Sequence, residues 1–456
     1  MIIVGLLVEF VLAPITSWSI DTPGFVSAGI SLIYNGSPYA ANQFFNAPLG
    51  PFLEAPLFAL LSIWFTPQSL IVSVSAINPA ASATGISTQI PTFPALLALK
   101  TPLILSALVS SLCVLYLSER IVGRVRARFF AAAWILNPLL IWATAVHGEV
   151  DILATTAVLL FLVAILEKWY LFSGVALALG VMSKVYPIVL LPMAVVLVSY
   201  HTRSDRAASP IGPTVRFLAG LGLGILPFVA FFPQLVSLYG GLYSQPSYGG
   251  FNVLLLFNPG IFRFGAQHLA TTFSLHNAVL VHDGFVVTFV ISMIASVISA
   301  ELAAPKDGVG SRAPGEAFFI AILLPLTGVL LYQPSPQSEN LLLILPFLLL
   351  LSCYGNRWAK AAYFIISAAG LLLYFTLLTP FAFFYPLAVL GGNSWISAIN
   401  HILINYNSNS VLPLRSFWIV AGITGGGAIL GTCIAAIYRT FEVTIRRIRG
   451  LGRTST

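Results

Sequence analysis

The chain sets a few ionisable residues among long apolar stretches, and two groupings of them could do chemistry. His147-Gly148-Glu149-Val150-Asp151 brings an imidazole and two carboxylates within five positions. Such donors could hold a divalent cation, or they could orient a substrate by hydrogen bonds. Lys184-Val185-Tyr186-Pro187 places a cation where two short apolar runs meet. There it could reach an anionic group at a thin spot, or it could simply snorkel to the apolar boundary. Asp21 and Glu339 are further carboxylates at run ends, in Trp18-Ser19-Ile20-Asp21-Thr22-Pro23 and Gln333-Pro334-Ser335-Pro336-Gln337-Ser338-Glu339-Asn340. Ionisable groups beside lipid are costly and often functional, although any one of these could instead mark where a helix leaves the apolar layer.

The composition says what must position these groups. Of 456 residues, 8% are charged and 58% hydrophobic, with a mean hydropathy of +0.95. A soluble chain clothes its surface with about 25% charged residues. The solvent here must be mostly lipid, which excludes a disordered chain, a coiled coil and a nucleic-acid-binding domain. The net charge of +7 is therefore no footprint of nucleic acid. Apolar runs fall at about 2–18, 96–118, 129–146, 150–166, 170–184, 186–200, 214–234, 284–303, 316–332, 340–354, 360–380 and 417–438. About 20 helical residues cross a bilayer core. The runs lack the alternation of membrane strands, so the expectation is an all-α, polytopic bundle of about twelve helices forming one domain over 1–456.

Orientation follows from where the basic residues sit. With residue 1 in the cytoplasm, 17 of the 21 Lys and Arg fall on inner segments, and Lys100, Lys184, Arg263 and Arg415 stay outside. Both termini are then cytoplasmic, 439–456 is a basic cytoplasmic tail, and 19–95 is an outer loop. Prolines including Pro23, Pro38, Pro48, Pro51, Pro56 and Pro67 interrupt that loop, and its apolar stretch 49–65 reads as a broken helix lying on or dipping into the outer interface. Outer loops at about 235–283 and 381–416 are rich in aromatic residues suited to the headgroup level. No basic n-region or small-residue cleavage site marks a cleaved leader. The inner loops are too short for a nucleotide-binding domain and no Walker A sequence occurs, so ATP-driven transport by this chain alone is not expected. Cys113, Cys353 and Cys433 have neither disulfide nor metal spacing. Asn35-Gly36-Ser37 fits a glycosylation sequon, but a turn suffices to explain it.

Taken in order, Asp21 after the first run, Gly36-Ser37-Pro38-Tyr39, the proline-rich stretch, Asn137-Pro138-Leu139-Leu140-Ile141, His147-Gly148-Glu149-Val150-Asp151 and Lys184-Val185-Tyr186-Pro187 resemble the GT-C superfamily. The likeness is to its polyprenyl-phosphate-mannose-dependent mannosyltransferases and covers about the first 200 residues. It departs at Glu149, where relatives often carry Gln, and at Ala47-Pro48, where they often carry consecutive prolines. The resemblance implies an integral membrane enzyme of the plasma membrane or endoplasmic reticulum, with its active site on the outer or lumenal face. It implies inverting transfer of a sugar, mannose first, from a polyprenyl-phosphate donor to a glycan, lipid or protein acceptor. Asp21 matches the expected general base, which takes the proton of the attacking hydroxyl. The leaving lipid phosphate needs fixed cations and donors rather than a general acid, and Lys100, Lys184, Arg263 and Arg415 are the outer candidates. Tyr39, His147, Glu149, Asp151, Lys184, Tyr186, Glu339, Arg263 and Arg415 are the implied substrate-binding residues, with His268, His276, His282 and His401 as further donors. No cofactor is expected. A secondary transporter or lipid flippase is the alternative that twelve helices leave open, and a non-catalytic scaffolding subunit is a third.

Overall fold

With so few polar side chains, the backbone groups of this chain must satisfy one another in lipid, and helices do so within each segment. The computed structural model describes residues 1–17, 21–40, 46–73, 89–203, 211–237, 275–303, 315–332, 337–377 and 411–452. The helices are α1 Ile2–Leu12, α2 Asp21–Asn35, α3 Leu49–Leu61, α4 Phe93–Val122, α5 Arg124–Ile135, α6 Pro138–Ile141, α7 Asp151–Leu166, α8 Tyr170–Ser183, α9 Leu191–Arg203, α10 Ile211–Ile225, α11 Leu275–Ala303, α12 Glu316–Tyr332, α13 Leu345–Ser352, α14 Arg357–Leu377 and α15 Val411–Gly452. Among the described residues, strands are limited to β1 Ile71–Ser73 and β2 Gln89–Pro91, paired antiparallel with Val72 opposite Ile90. The all-α expectation is met.

Burial separates the helices into an inside and a rim. α7, α12 and α13 are apolar and buried around almost their whole circumference. A helix apolar on all sides belongs in the middle of the bundle. By contrast α1, α10, α11 and α15 turn side chains such as Leu7, Leu223, Ile294 and Ile434 outward, as a rim bathed in lipid requires. α8 and α10 meet backbone to backbone. A Cβ placed on Gly174 would lie 2.0 Å from the Phe217 carbonyl oxygen, and one on Gly220 would lie 1.9 Å from that of Leu171. Small residues are what permit such an approach in a membrane.

The twelve expected runs, several of them short in the sequence, form helices of unequal length. Phe93–Val122, Ile211–Ser237, Val286–Ala303 and Val420–Ile445 are each long and apolar enough to cross a membrane. The run expected over 129–146 is not one straight span. It breaks into Arg124–Ile135 and Pro138–His147, bent by 43°. Pro138 has no N–H to continue the first helix, while the Asn137 side chain accepts from the Leu139 N–H and starts the second. Ile2–Ile15, Asp151–Leu166, Tyr170–Ser183, Tyr186–Ser199 and Glu316–Leu331 are shorter apolar helices. The 49–65 stretch forms α3, also short, packed against α2, α4 and α8 with Leu60, Ile63 and Trp64 exposed. The chain is an integral membrane protein of several apolar helices.

Candidate functional site

The break before α6 has a consequence one turn later. After Pro138–Ile141 the helix widens into a π-turn over Trp142–His147, which Gly148 ends at φ +84°. Both the Gly148 and Glu149 N–H groups bond back to the Ala143 carbonyl. The left-handed Gly148 then lets the chain turn directly into α7, whose first residue is Asp151. His147, Glu149 and Asp151 thus sit at a helix junction and need not project along one face. A residue other than glycine would be strained there and would also crowd the Lys100 side chain, whose Cε lies 3.3 Å from where its Cβ would stand.

His147 is the hub. Its Nε2 lies 3.0 Å from Asp21 Oδ2 and 3.4 Å from Glu149 Oε1, and its Nδ1 lies 3.3 Å from the Tyr374 hydroxyl. Tyr374 packs its ring edge-on to the imidazole and donates its hydroxyl to Glu339 Oε2 at 3.0 Å. Asp151 faces elsewhere. Its Oδ2 is 3.0 Å from Lys184 Nζ, and its Oδ1 accepts from the Asn340 amide at 2.8 Å. Lys184 also stands 4.0 Å from Glu149 Oε2, closing the group. Helix termini supply nearly all of it: the start of α2, the π-turn, the start of α7, the end of α8 and the 3-10 turn Glu339–Leu343.

Four carboxyl groups share this space with one lysine and one imidazole, and burial decides which of them stay charged. Burial alone would raise Asp21, but the hydrogen bond and charge of His147, with Lys184, hold it below the ordinary carboxylate value. Asp21 is also the open member, with 41% of its side chain accessible against 6% for Glu149. Desolvation pushes Glu149 up to about 8, outweighing Lys184 and His147, and it raises Glu339 as well. Burial would lower Lys184, yet Asp151 and Glu149 more than offset it and hold its ammonium well above its usual value. At neutral pH the arrangement combines an accessible carboxylate, a fixed ammonium and, in Glu149, a buried carboxyl that keeps its proton.

Asp21, His147 and Glu149 each offer a ligand atom within 4.8 Å of the other two, a donor set that could hold one divalent cation. This differs from the grouping expected of the sequence, where Glu149 and Asp151, with His147 before them, form one cluster. Asp151 is engaged by Lys184 and Asn340 instead, because the start of α7 turns it toward α8 and the 3-10 turn.

Beneath the site lies a lysine whose role differs from the one expected. The sequence offers Lys100 to the lipid phosphate along with the other outer cations. Its side chain is wholly buried, and its Nζ donates to the carbonyls of Ala13, Thr16 and Val146 and to the Thr16 hydroxyl, at 2.7–3.1 Å. Thr16 in turn bonds the Ala145 carbonyl, and Thr22 the carbonyl of His147. One buried amine therefore ties the segment before Asp21 to the residue before His147. Twenty residues further along α4 stands Arg120, about 30 Å away at 1.5 Å per residue, which is the thickness of a hydrocarbon core.

The remaining expected residues divide. Tyr186 adjoins Lys184 and helps to hold its charge. Tyr39 donates its hydroxyl to the Asn46 carbonyl and packs its ring on Phe231, away from the His147 group. Arg263 lies outside the described residues, as do His268 and His401 and the side chains of Arg415, His276 and His282. Glu54 is buried between α2 and α3, within reach of Gly29 and Gly50, with neither oxygen hydrogen-bonded. Sequence reasoning missed Tyr374 and Asn340. Asn340 adjoins the flagged Glu339, whereas Tyr374 sits in an apolar helix with no spacing signal.

No family model matches the chain, and no curated protein matches it. Among solved structures, it is similar to ArnT from Cupriavidus metallidurans bound to undecaprenyl phosphate. The two are 15% identical, with 98% of this chain and 77% of that one covered and a TM-score of 0.44. The same protein in its apo state gives 14% identity, 96% and 75% coverage and a TM-score of 0.43.

Proposed function

We propose that this protein is a membrane glycosyltransferase of the GT-C type, taking its sugar from a polyprenyl-phosphate donor, with Asp21 as the general base. The observation that carries this reading is the pairing of an accessible, ionised Asp21 on His147 with the fixed ammonium of Lys184 in the same group. Transfer from a lipid phosphate asks for those two things. The acceptor hydroxyl gives its proton to Asp21 as its oxygen bonds the anomeric carbon. The glycosidic bond to the phosphate breaks on the opposite face, inverting the centre, and the negative charge gathering on the phosphate is met by Lys184. His147 orients Asp21, and Tyr374 and Glu339 hold His147 from behind. A cation on Asp21, His147 and Glu149 would polarise a bound oxygen.

Mannose is the first sugar to test, because the ordered motifs resemble mannosyltransferases. The placement of the cluster at helix termini, about one hydrocarbon thickness from Arg120, supports an outer or lumenal active site with cytoplasmic termini. Charges at helix ends also fit a reaction at the membrane surface better than a transporter's mid-span substrate site.

Purified protein given polyprenyl-phosphate mannose and candidate acceptors should release polyprenyl phosphate and form one new glycoside of inverted configuration. Asp21→Asn should lower this about 10²–10⁴-fold. Full turnover by a well-folded Asp21→Asn protein would overturn the assignment of the base, and absence of transfer from any polyprenyl-phosphate sugar would overturn the activity.

A further inference from the structure

Away from the carboxylate cluster, an apolar groove opens on the rim of the bundle between α5 and α14, with α13 as part of its floor. Two adjoining cavities of about 350 and 330 Å³ share Phe129, Ala133, Tyr363 and Phe364 as walls. Phe129 and Phe364 stand 68% and 59% exposed, flanking the groove without closing it. Lys360 lines one end, and Asn137 and Ser367 line the other.

The Lys360 end is strongly cationic. Lys360 lies one helical turn before Phe364, and Arg126 lies about one turn before Phe129 and Phe130, so the cations sit beside the aromatic walls. Arg124, Arg128 and Arg357 are exposed at the same helix starts. Among the described residues none of these five cations has an acidic partner, whereas nearby Arg120 and Arg439 are paired. Neither helix carries an acid in its first turn.

We propose that this groove binds a phospholipid with an anionic headgroup, its acyl chain between Phe129 and Phe364 and its headgroup against Lys360 and Arg126. Charge complementarity selects the occupant. An apolar slot alone would take any acyl chain, but unpaired cations at its mouth favour a lipid with net negative charge over a zwitterionic one. Binding there is independent of sugar transfer and is read without turnover.

The test is lipid retention in native mass spectrometry, after exchange of the full-length protein into equal amounts of phosphatidylglycerol and phosphatidylcholine. Phosphatidylglycerol should be retained about tenfold in preference, and the double variant Lys360→Gln, Arg126→Gln should lose that preference. Arg216→Gln, an exposed cation that lines neither cavity, should keep it. Ala133→Trp, at an exposed position, should fill the slot and expel the lipid while the protein stays monodisperse. Equal retention of the two lipids by the wild type, or an undiminished preference in the double variant, overturns the proposal. So does displacement of phosphatidylglycerol by equimolar polyprenyl phosphate, which would assign the groove to the carrier lipid.

Discussion

Two polar clusters in this molecule use the same residue types to opposite ends. In the second half of α15, beside the starts of α12 and α14, Arg439 grips Glu316 through two nitrogens at 2.9 and 3.2 Å and bonds Glu442 as well, while Asn356 shares Glu316. Arg120, Glu167 and Tyr116 make a similar knot between α4 and α7. These groups are half-exposed, and each charge meets its opposite. Such contacts moor helices and contribute modestly. Around His147, four carboxyls face one lysine and one imidazole in a largely dry space, so protonation states are forced apart. Imbalance combined with burial, rather than the mere presence of charge, is what marks a reactive site.

Substitution should widen or collapse this contrast. The largest effect belongs to Asp21→Asn, with transfer falling about 10²–10⁴-fold in kcat at unchanged Tm. Because Asp21 is held below the ordinary aspartate value of 3.8, protonation of this base should not lower wild-type kcat/KM anywhere above that value on acidification. A loss already near pH 6 would point to another base. Lys184→Gln should cost about 10²-fold in kcat through loss of the charge offered to the leaving phosphate, and it also removes the ion pair of Asp151. Lys100→Met strands three carbonyls and should lower stability by about 3 kcal/mol, with Tm in detergent as the readout. Glu149→Gln concerns proton balance. Between its ordinary value of 4.5 and its folded value of about 8, the folded chain keeps a proton that the unfolded chain has lost. Stability should therefore fall as pH rises through that window, and the variant, measured with chelator present, should flatten the slope. Smallest is Arg439→Gln, about 1 kcal/mol in stability with kcat within twofold. A large loss of turnover there would erase the distinction between the clusters.

Much of the site was legible because its members stand at helix ends. His147, Glu149, Asp151, Lys184 and Glu339 each interrupt an apolar run, and interruption is visible in one dimension. Which carboxylate meets which partner was not. Asp151 leaves the His147 grouping for Lys184 because a π-turn and a left-handed glycine rotate α7, and no local pattern encodes that rotation. Lys100 read as an available cation because its acceptors come from residues 13–16 and 146, far away in sequence. The Pro138 break was visible as a motif, yet the apolar run continues through it and hides the bend.

The amine of Lys100 also sets an order of events during biogenesis. Ala13 and Thr16 are synthesised before α4, but Val146 follows Lys100 by 46 residues. As α4 leaves the insertion machinery, its lysine can meet only part of its final coordination. The chain that carries Asp21 must therefore stay alongside α4 until synthesis has reached Val146. The last acceptor arrives with the turn that delivers His147, so completing the lysine's shell and assembling the two halves of the site become one step for the nascent protein.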